Sequence, residues 1–156
     1  MKDYPTGDTI RFLFMGRIMA EKGVGELFTA MKRLVSDGVK CKLDILGRYE
    51  ENYKEIINMY EAEGWLHYHG YQSDVRPFIE ACHCFVLPSW HEGMANTNLE
   101  SAAMGRPVIT SNISGCRESV INGISGFLTE RKNVDDLYDT LKKFTELTYE
   151  ERKAMG

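Results

Sequence analysis

Apolar residues in this chain follow two alternating patterns. Short runs rich in β-branched and aromatic residues, each closed by a glycine, a proline or a polar loop, are typical of buried strands; they cover residues 10–15, 42–46, 65–69, 84–87 and 108–110. Between them, apolar residues recur at helical spacing over residues 25–35, 53–63, 75–81 and 99–104. Strands that alternate with helices at this spacing predict an α/β fold, a doubly wound parallel sheet with helices on both faces.

The two ends of the chain extend this pattern. Residues 126–128 predict a short edge strand, and residues 134–147 predict a final amphipathic helix that begins after Asn133. Residues 1–9 precede the first strand, and we expect them to form a flexible tail.

Two helix starts can be placed from capping residues and loop boundaries. Ser73 or Asp74 is the expected N-cap of the helix over 75–81. The helix over 99–104 is expected to begin near Thr97, which would put Glu100 within its first turn.

Length and composition restrict the class of protein. A chain of 156 residues, 43% hydrophobic and 27% charged, fits one soluble globular domain without an internal repeat. Its net charge of −4 argues against a general nucleic-acid surface. No apolar run approaches the roughly 20 residues that cross a bilayer, and the start of the chain lacks a signal-peptide core, so we expect a cytoplasmic protein.

Cysteine spacing gives no metal motif. The chain has four cysteines and no CxxC pair, and Cys82-His83-Cys84 is the only tempting cluster. We expect buried thiols and no metal. His67, His69 and His83 are expected to pack within the fold, whereas His91 either touches a ligand or is solvated.

Ligands of such sheets bind beyond the carboxyl ends of the strands, so the loops after the strands are the candidate site. The loop after the first strand, GRIMAEKG, sets Arg17 and Lys22 between Gly16 and Gly23, just before a helix. Glycine, helix-start amides and mobile cations suit an anion, although the spacing is neither that of a P-loop nor that of a dinucleotide fingerprint. Taken alone, this loop fits a solvated turn with two surface cations better than it fits an anion site.

The loop after the fourth strand carries two acids eight residues apart, Glu92 and Glu100, in the stretch EGMANTNLE. If a helix begins near Thr97, the amides of residues 94–98 point into the same crevice as Arg17 and Lys22. A carboxylate near a sugar can accept hydroxyl hydrogen bonds or stabilise an oxocarbenium-like transition state. The neighbouring cations favour a phosphorylated leaving group over hydrolysis.

Five motifs in order resemble a known family. GRxxxEKG, PSxxEG with its E-x7-E pair, AxGxPVI, GCRE and NGxxGFL run from about Ile10 to Leu147. Together they resemble the C-terminal half of a family 4 retaining glycosyltransferase, one of the two Rossmann-like halves of a GT-B fold.

The resemblance implies a nucleotide-sugar donor, transfer with retention, and no metal or other cofactor. Arg17 and Lys22 would hold the donor diphosphate, Glu92 the transferred sugar and Glu100 the ribose, with the base near Tyr71. Catalysis would rest on Glu92, Arg17 and Lys22. The full set of donor-binding residues would be Gly16, Arg17, Lys22, Tyr71, Glu92, Gly93, Met94, Ala95, Asn96, Thr97 and Glu100, with main-chain amides of residues 93–97 reaching the sugar and distal phosphate.

This chain departs from the common family motif, which is closer to EGFGLPLLE. Asn96, Thr97 and Asn98 stand at apolar or proline positions, which predicts a more polar sugar pocket and leaves the donor sugar open. Uridine is expected as the common donor base. The GCRE turn and the AMGRP stretch look most like family members that build bacterial surface polysaccharides on lipid carriers.

The resemblance also implies a missing partner half. The N-terminal acceptor domain, which would bind a glycan or lipid-linked acceptor, is absent from residues 1–156, a single nucleotide-sugar-binding domain. We expect this fragment to transfer nothing by itself, and the full protein to work at the inner face of the membrane through that half. The open alternatives are a non-catalytic nucleotide-sugar-binding module, half of a GT-B-like epimerase, and a receiver-like domain, although a receiver would need acids after the first strand.

Overall fold

Six parallel strands form the centre of the protein. Over residues 3–156, the part of the chain that the computed structural model describes, they are Ile10–Met15 (β1), Cys41–Leu46 (β2), Leu66–Tyr68 (β3), Cys84–Leu87 (β4), Val108–Ser111 (β5) and Gly126–Thr129 (β6). Their order across the sheet is β3-β2-β1-β4-β5-β6, and every neighbouring pair is parallel. The predicted doubly wound parallel sheet is therefore confirmed.

Helices connect the strands from β1 to β5, a 3-10 turn at Arg117–Ser119 lies between β5 and β6, and two helices follow β6. The helices are Val24–Ser36 (α1), Lys54–Glu63 (α2), Arg76–Ala81 (α3), Asn96–Ala103 (α4), Val134–Glu146 (α5) and Tyr149–Met155 (α6). Asn133 caps α5 by accepting a hydrogen bond from the Asp136 amide, as the sequence predicts. The sequence prediction does not include α6, although Thr148 and Glu151 form a capping box that marks its start.

The α3 helix begins one residue later than expected. Its N-cap position is held by Val75, which makes no side-chain cap hydrogen bond. Asp74 instead accepts from the Arg76 amide at 3.2 Å and from its guanidinium at 2.9 Å. Asp74 therefore stabilises the start of α3 from the residue before the N-cap position.

The core lies on both sides of the central strands. Strands β4 and β5 are buried at every position, as parallel strands between two helical layers must be. Phe12 of β1 packs against Phe144 of α5, with ring centroids 5.9 Å apart. No helix within residues 3–156 is long and apolar enough to span a membrane.

The segment before β1 is anchored at one residue, contrary to the flexible tail that the sequence suggests. Tyr4 is buried, and its hydroxyl donates a 2.7 Å hydrogen bond to the main-chain oxygen of His83. The two rings meet edge to face. The tail prediction is therefore wrong at Tyr4, and its first two residues lie outside the described part of the chain.

A buried arginine ties this segment to two helix ends. The Arg106 guanidinium donates to the carbonyls of Ile79 and Glu80 at the end of α3, at 3.1 and 2.9 Å. It also reaches two carbonyls after α4 and the carbonyl of Asp3. A cation at two helix C-termini satisfies carbonyls that have no partner within their helices.

All four thiols are free and buried, as predicted. Burial raises the pKa of the Cys41 thiol to about 11 and that of Cys82 to about 12, so both stay protonated at neutral pH. Within residues 3–156 no group of three potential ligands is arranged to hold a metal ion.

His83 gives the fold a testable pH dependence. Its Nδ1 accepts a 3.0 Å hydrogen bond from the Arg11 amide, and burial together with nearby Arg152 and Arg11 lowers its pKa to about 4. The unfolded chain takes up this proton near pH 6.5, so stability is retained above that pH and is lost as the pH falls towards 4.

We expect His83→Asn, which keeps an acceptor near Nδ1 but cannot be protonated, to abolish this loss. Between pH 6.5 and 4 the wild-type free energy of unfolding should fall by up to about 3 kcal/mol more than that of the variant. Urea unfolding across this range measures the difference. Parallel pH profiles would contradict the assignment.

Candidate functional site

Three cavities open side by side along the carboxyl edge of the sheet. Their volumes are about 450, 470 and 280 Å³. The first lies beyond β4 and β5, the second beyond β1 and β2, and the third between β1 and the start of α4. Arg17 lines all three, which makes the loop after β1 their common wall.

Two glycines allow the loops to meet closely. Gly23 has a φ of 75°, and a Cβ there would lie 2.0 Å from the main-chain oxygen of Pro88 after β4. Gly115 has a φ of 91°, and a Cβ there would lie 2.4 Å from the main-chain oxygen of Glu92. The loops after β1, β4 and β5 can pack against one another because these two positions carry no side chain.

Lys22 and Glu92 meet at the centre of this arrangement. The distance from Lys22 Nζ to Glu92 Oε1 is 2.6 Å, and the side chains are 17% and 11% exposed. The hydroxyl of Ser89, a fully buried residue, donates to the same carboxylate oxygen at 2.9 Å. Two residues predicted to act on opposite parts of a donor are therefore paired with each other in this structure.

Arg17 is placed differently from Lys22. It is exposed, and its guanidinium has no hydrogen-bond or ion-pair partner among residues 3–156. Its donors are free for an anion, whereas the ammonium of Lys22 already donates one hydrogen bond to Glu92. The two predicted cations therefore lie on one wall but are not equivalent.

The main-chain amides that face this wall are fewer than the sequence suggests. The amide of Ala95 donates to Gly115 at 2.9 Å, and that of Asn96 donates to Met94 at 3.0 Å. In the described chain, the amides of Gly93, Met94 and Thr97 have no acceptor, and all three residues line a cavity. Three of the five expected donors are therefore free.

Glu100 lies apart from the other acid. The helix α4 begins at Asn96, one residue earlier than expected, so Glu100 is its fifth residue and the predicted first-turn position is wrong. Glu100 is exposed and lies outside the linings of the three cavities. The structure does not bring Glu92 and Glu100 together as a pair.

Tyr71 lines the second cavity together with Gly16, Arg17 and Arg48. Its ring is 61% exposed, and the Arg48 guanidinium lies 4.4 Å from the ring centroid. This contact pairs Arg48 with the tyrosine on a flat, cationic wall.

Residues that the sequence does not single out enclose the first cavity. Arg131, in the loop after β6, donates from Nη1 to the main-chain oxygen of Trp90 at 3.1 Å. Lys132 has a φ of 58° and places its Nζ 4.4 Å from the centre of the Trp90 ring. Trp90 is thus packed by the loop after β6, and His91 beside it is exposed at the cavity edge.

Asn98 does not make the sugar pocket polar, in contrast to what its substitution in the motif suggests. Its side chain is fully buried and donates to Thr110 Oγ1 at 3.0 Å, and this hydroxyl donates to the Leu87 carbonyl at 2.8 Å. Asn96 and Thr97, by contrast, line the third cavity. Helical periodicity explains the difference, since adjacent residues on α4 cannot all face the same side.

The Asn98–Thr110 pair provides a stability test. Asn98→Leu and Thr110→Val should each cost about 1–3 kcal/mol, because each removes a buried hydrogen bond and Thr110→Val leaves a buried amide without its acceptor. The double variant should be more stable than the sum of the two losses predicts, by about 1 kcal/mol. Chemical denaturation of the four proteins measures the coupling. Additive losses would show that the two side chains act independently.

Sequence comparison places the chain among enzymes. The chain matches the model of a protein family described as Glycosyl transferases group 1 over residues 2–156. The capsular polysaccharide biosynthesis glycosyltransferase CapM of Staphylococcus aureus is 30% identical over an alignment of 138 residues that covers 83% of this chain and 35% of CapM. The N,N'-diacetylbacillosaminyl-diphospho-undecaprenol alpha-1,3-N-acetylgalactosaminyltransferase of Campylobacter jejuni is 30% identical over 134 residues, which are 86% of this chain and 35% of that enzyme.

Structural comparison agrees on the fold. HepE from Anabaena, solved in complex with UDP and glucose, superposes on 95% of this chain with a TM-score of 0.81 at 18% identity, and the match covers 41% of HepE. This likeness confirms the predicted fold, one half of a GT-B glycosyltransferase. The chain spans about a third of the length of the two curated relatives.

Proposed function

The chain belongs to the glycosyl transferases group 1 family, and we propose that it is the donor-binding half of a retaining enzyme that takes its sugar from a nucleotide-sugar, a UDP-sugar. The acceptor would be a glycan or a lipid-linked sugar in the synthesis of a bacterial surface polysaccharide. One observation carries the proposal: Arg17, which lines all three cavities, shares the first and the third with the Lys22–Glu92 ion pair.

The diphosphate of the donor would lie between two walls, one formed by the loop after β1 and the other by the start of α4. One wall offers the free guanidinium of Arg17 and the ammonium of Lys22. The other offers the unpaired amides of Met94 and Thr97 at the start of α4, where the helix dipole also favours an anion. Guanidinium, ammonium and amide donors together can compensate two negative charges without a metal ion.

The nucleoside would extend from this point into the second cavity. Tyr71 and Arg48 form its flat wall, and a planar base can stack on such a surface. A volume of about 470 Å³ accommodates a base with part of its ribose. We assign the ribose hydroxyls to Glu100, whose exposed carboxylate can accept from them.

The sugar would occupy the first cavity, next to Glu92 and Gly93. As the bond from the anomeric carbon to the diphosphate breaks, negative charge develops on the leaving group and positive charge on the sugar. Arg17 and Lys22 stabilise the first charge, and the carboxylate of Glu92 accepts from the sugar hydroxyls close to the second. Departure and attack on one face would give retention.

The relatives support the choice of donor and acceptor. HepE is described in complex with UDP, and the enzyme of Campylobacter jejuni is named for a diphospho-undecaprenol acceptor. Because the chain spans about a third of such enzymes, we assign the acceptor to the rest of the full-length protein, which would meet a lipid-linked substrate at the membrane surface. By itself the chain should bind the donor and transfer nothing.

The diphosphate assignment is tested by titrating the chain with UDP, GDP and ADP in the presence of EDTA. We expect UDP to bind most tightly, and Arg17→Ala and Lys22→Ala each to weaken it about tenfold or more, since each removes a charge-assisted hydrogen bond. Arg131→Ala, which removes a cation from the sugar cavity, is the matched control and should leave UDP binding unchanged. Unaltered affinity in the Arg17→Ala/Lys22→Ala double variant would refute the assignment.

The ribose assignment needs a different comparison. Glu100→Ala should weaken UDP and UDP-glucose by the same factor and leave inorganic pyrophosphate binding unchanged, because the carboxylate would touch only the nucleoside. Isothermal titration with the three ligands measures these factors. A variant that binds UDP as the wild type does would show that Glu100 is a surface residue of α4.

A further inference from the structure

We propose that the Lys22–Glu92 ion pair lets this site discriminate the sugar donor from the nucleoside diphosphate left after transfer, with Ser89 positioning the carboxylate. The proposal rests on the donor site described above and assigns it a specificity. The observation behind it is that one carboxylate oxygen accepts from both the Lys22 ammonium, at 2.6 Å, and the Ser89 hydroxyl, at 2.9 Å.

A diphosphate bound at this site competes with Glu92 for the ammonium of Lys22. Nζ lies within hydrogen-bond distance of Oε1, and both side chains are largely buried. When the ammonium turns to a phosphate oxygen, Glu92 loses its counter-charge and keeps only the neutral hydroxyl of Ser89. A carboxylate that is 11% exposed and left without a charged partner is costly. Binding of a nucleoside diphosphate alone bears this cost in full.

A donor that still carries its sugar bears less of the cost of leaving Glu92 without a charged partner. Hydroxyl groups of the sugar, placed in the first cavity, can donate to Glu92 as Lys22 leaves. The carboxylate then exchanges one set of hydrogen bonds for another. The donor is therefore favoured over the product, and loss of the sugar makes the diphosphate easier to release.

A second acid in the same cavity makes a control possible. Glu21 also lines the first cavity, but its side chain is exposed and is not paired with Lys22. Glu21→Gln and Glu92→Gln remove the same charge from the same cavity. Only Glu92→Gln also releases Lys22, so a long-range charge effect and a specific competition for Lys22 predict different results.

The experiment uses the 156-residue chain with inorganic pyrophosphate and UDP as probes. We expect Glu92→Gln to bind both about three- to tenfold more tightly than the wild type, since the competitor for Lys22 is weakened. Glu21→Gln should change either affinity less than about twofold, because an exposed charge is screened. With UDP-glucose as the donor probe, the preference for donor over UDP should disappear in Glu92→Gln and persist in Glu21→Gln.

Ser89→Ala should change the affinities for pyrophosphate and UDP in the opposite direction. Without the hydroxyl, Glu92 depends on Lys22 alone, so pyrophosphate and UDP should bind more weakly than to the wild type. Ser89→Thr, which restores a hydroxyl, should recover most of the affinity. Opposite effects from two neighbouring substitutions are not expected from a general loss of structure, and thermal unfolding of each variant verifies its fold.

The outcomes separate this proposal from the one on which it rests. If the wild type binds neither pyrophosphate nor any nucleoside diphosphate, the donor site itself is refuted and the discrimination with it. If the wild type binds UDP but Glu92→Gln binds it equally or more weakly, or if Glu21→Gln matches Glu92→Gln, the donor site stands and competition for Lys22 is refuted. A wild-type chain that does not prefer UDP-glucose over UDP also contradicts the proposal.

Discussion

The position of β1 in the centre of the sheet is the constraint on which the site depends. The chain builds β2 and β3 on one side of β1 and then returns to place β4 on the other. Loops after β1 and β4 leave the same edge in different directions, and a crevice opens between them. Lys22 and Glu92 are 70 residues apart in sequence, yet this reversal of strand order makes them neighbours. Gly23 and Gly115 then allow the loops to close to main-chain contact.

Charge within the crevice is distributed unevenly. Arg17 lies free at the mouth, where water and an arriving anion can both reach it. Lys22 lies deeper and is already neutralised by Glu92. An incoming anion would thus meet a free charge first and a committed charge second. A diphosphate at the proposed site would meet Arg17 at little cost and would compete with Glu92 for Lys22.

Much of the fold could be predicted from the sequence because parallel strands buried on both faces read as continuous apolar runs. Apolar patterning does not reveal the helix α6, because Tyr149–Met155 is short and mostly charged. Only its capping box marks it. Tyr4 shows a different limit. Its burial depends on contacts with His83 and on the carbonyl network of Arg106, which periodicity along the chain does not encode.

The sequence predicts where Arg17, Lys22 and Glu92 lie in the fold, but not how they pair. Motif order brings Arg17, Lys22 and Glu92 to one edge of the sheet, and the structure places them there. The spacing of residues cannot show that Lys22 binds Glu92, or that Ser89 shares the same oxygen, because those contacts depend on side-chain rotamers and on loop closure.

The polar motif of α4 shows how helix geometry divides the roles of adjacent residues. Asn96, Thr97 and Asn98 look equivalent in sequence, but the rotation of about 100° per helical residue directs Asn98 into the core, to Thr110, and leaves Asn96 and Thr97 on the cavity. A buried amide needs a hydrogen-bond partner, so Asn98 depends on Thr110 of β5. Its side chain lies away from the three cavities. If the chain binds a sugar donor as proposed, its selectivity would depend on Asn96 and Thr97, on the Lys22–Glu92 pair, and on Arg131 in the first cavity.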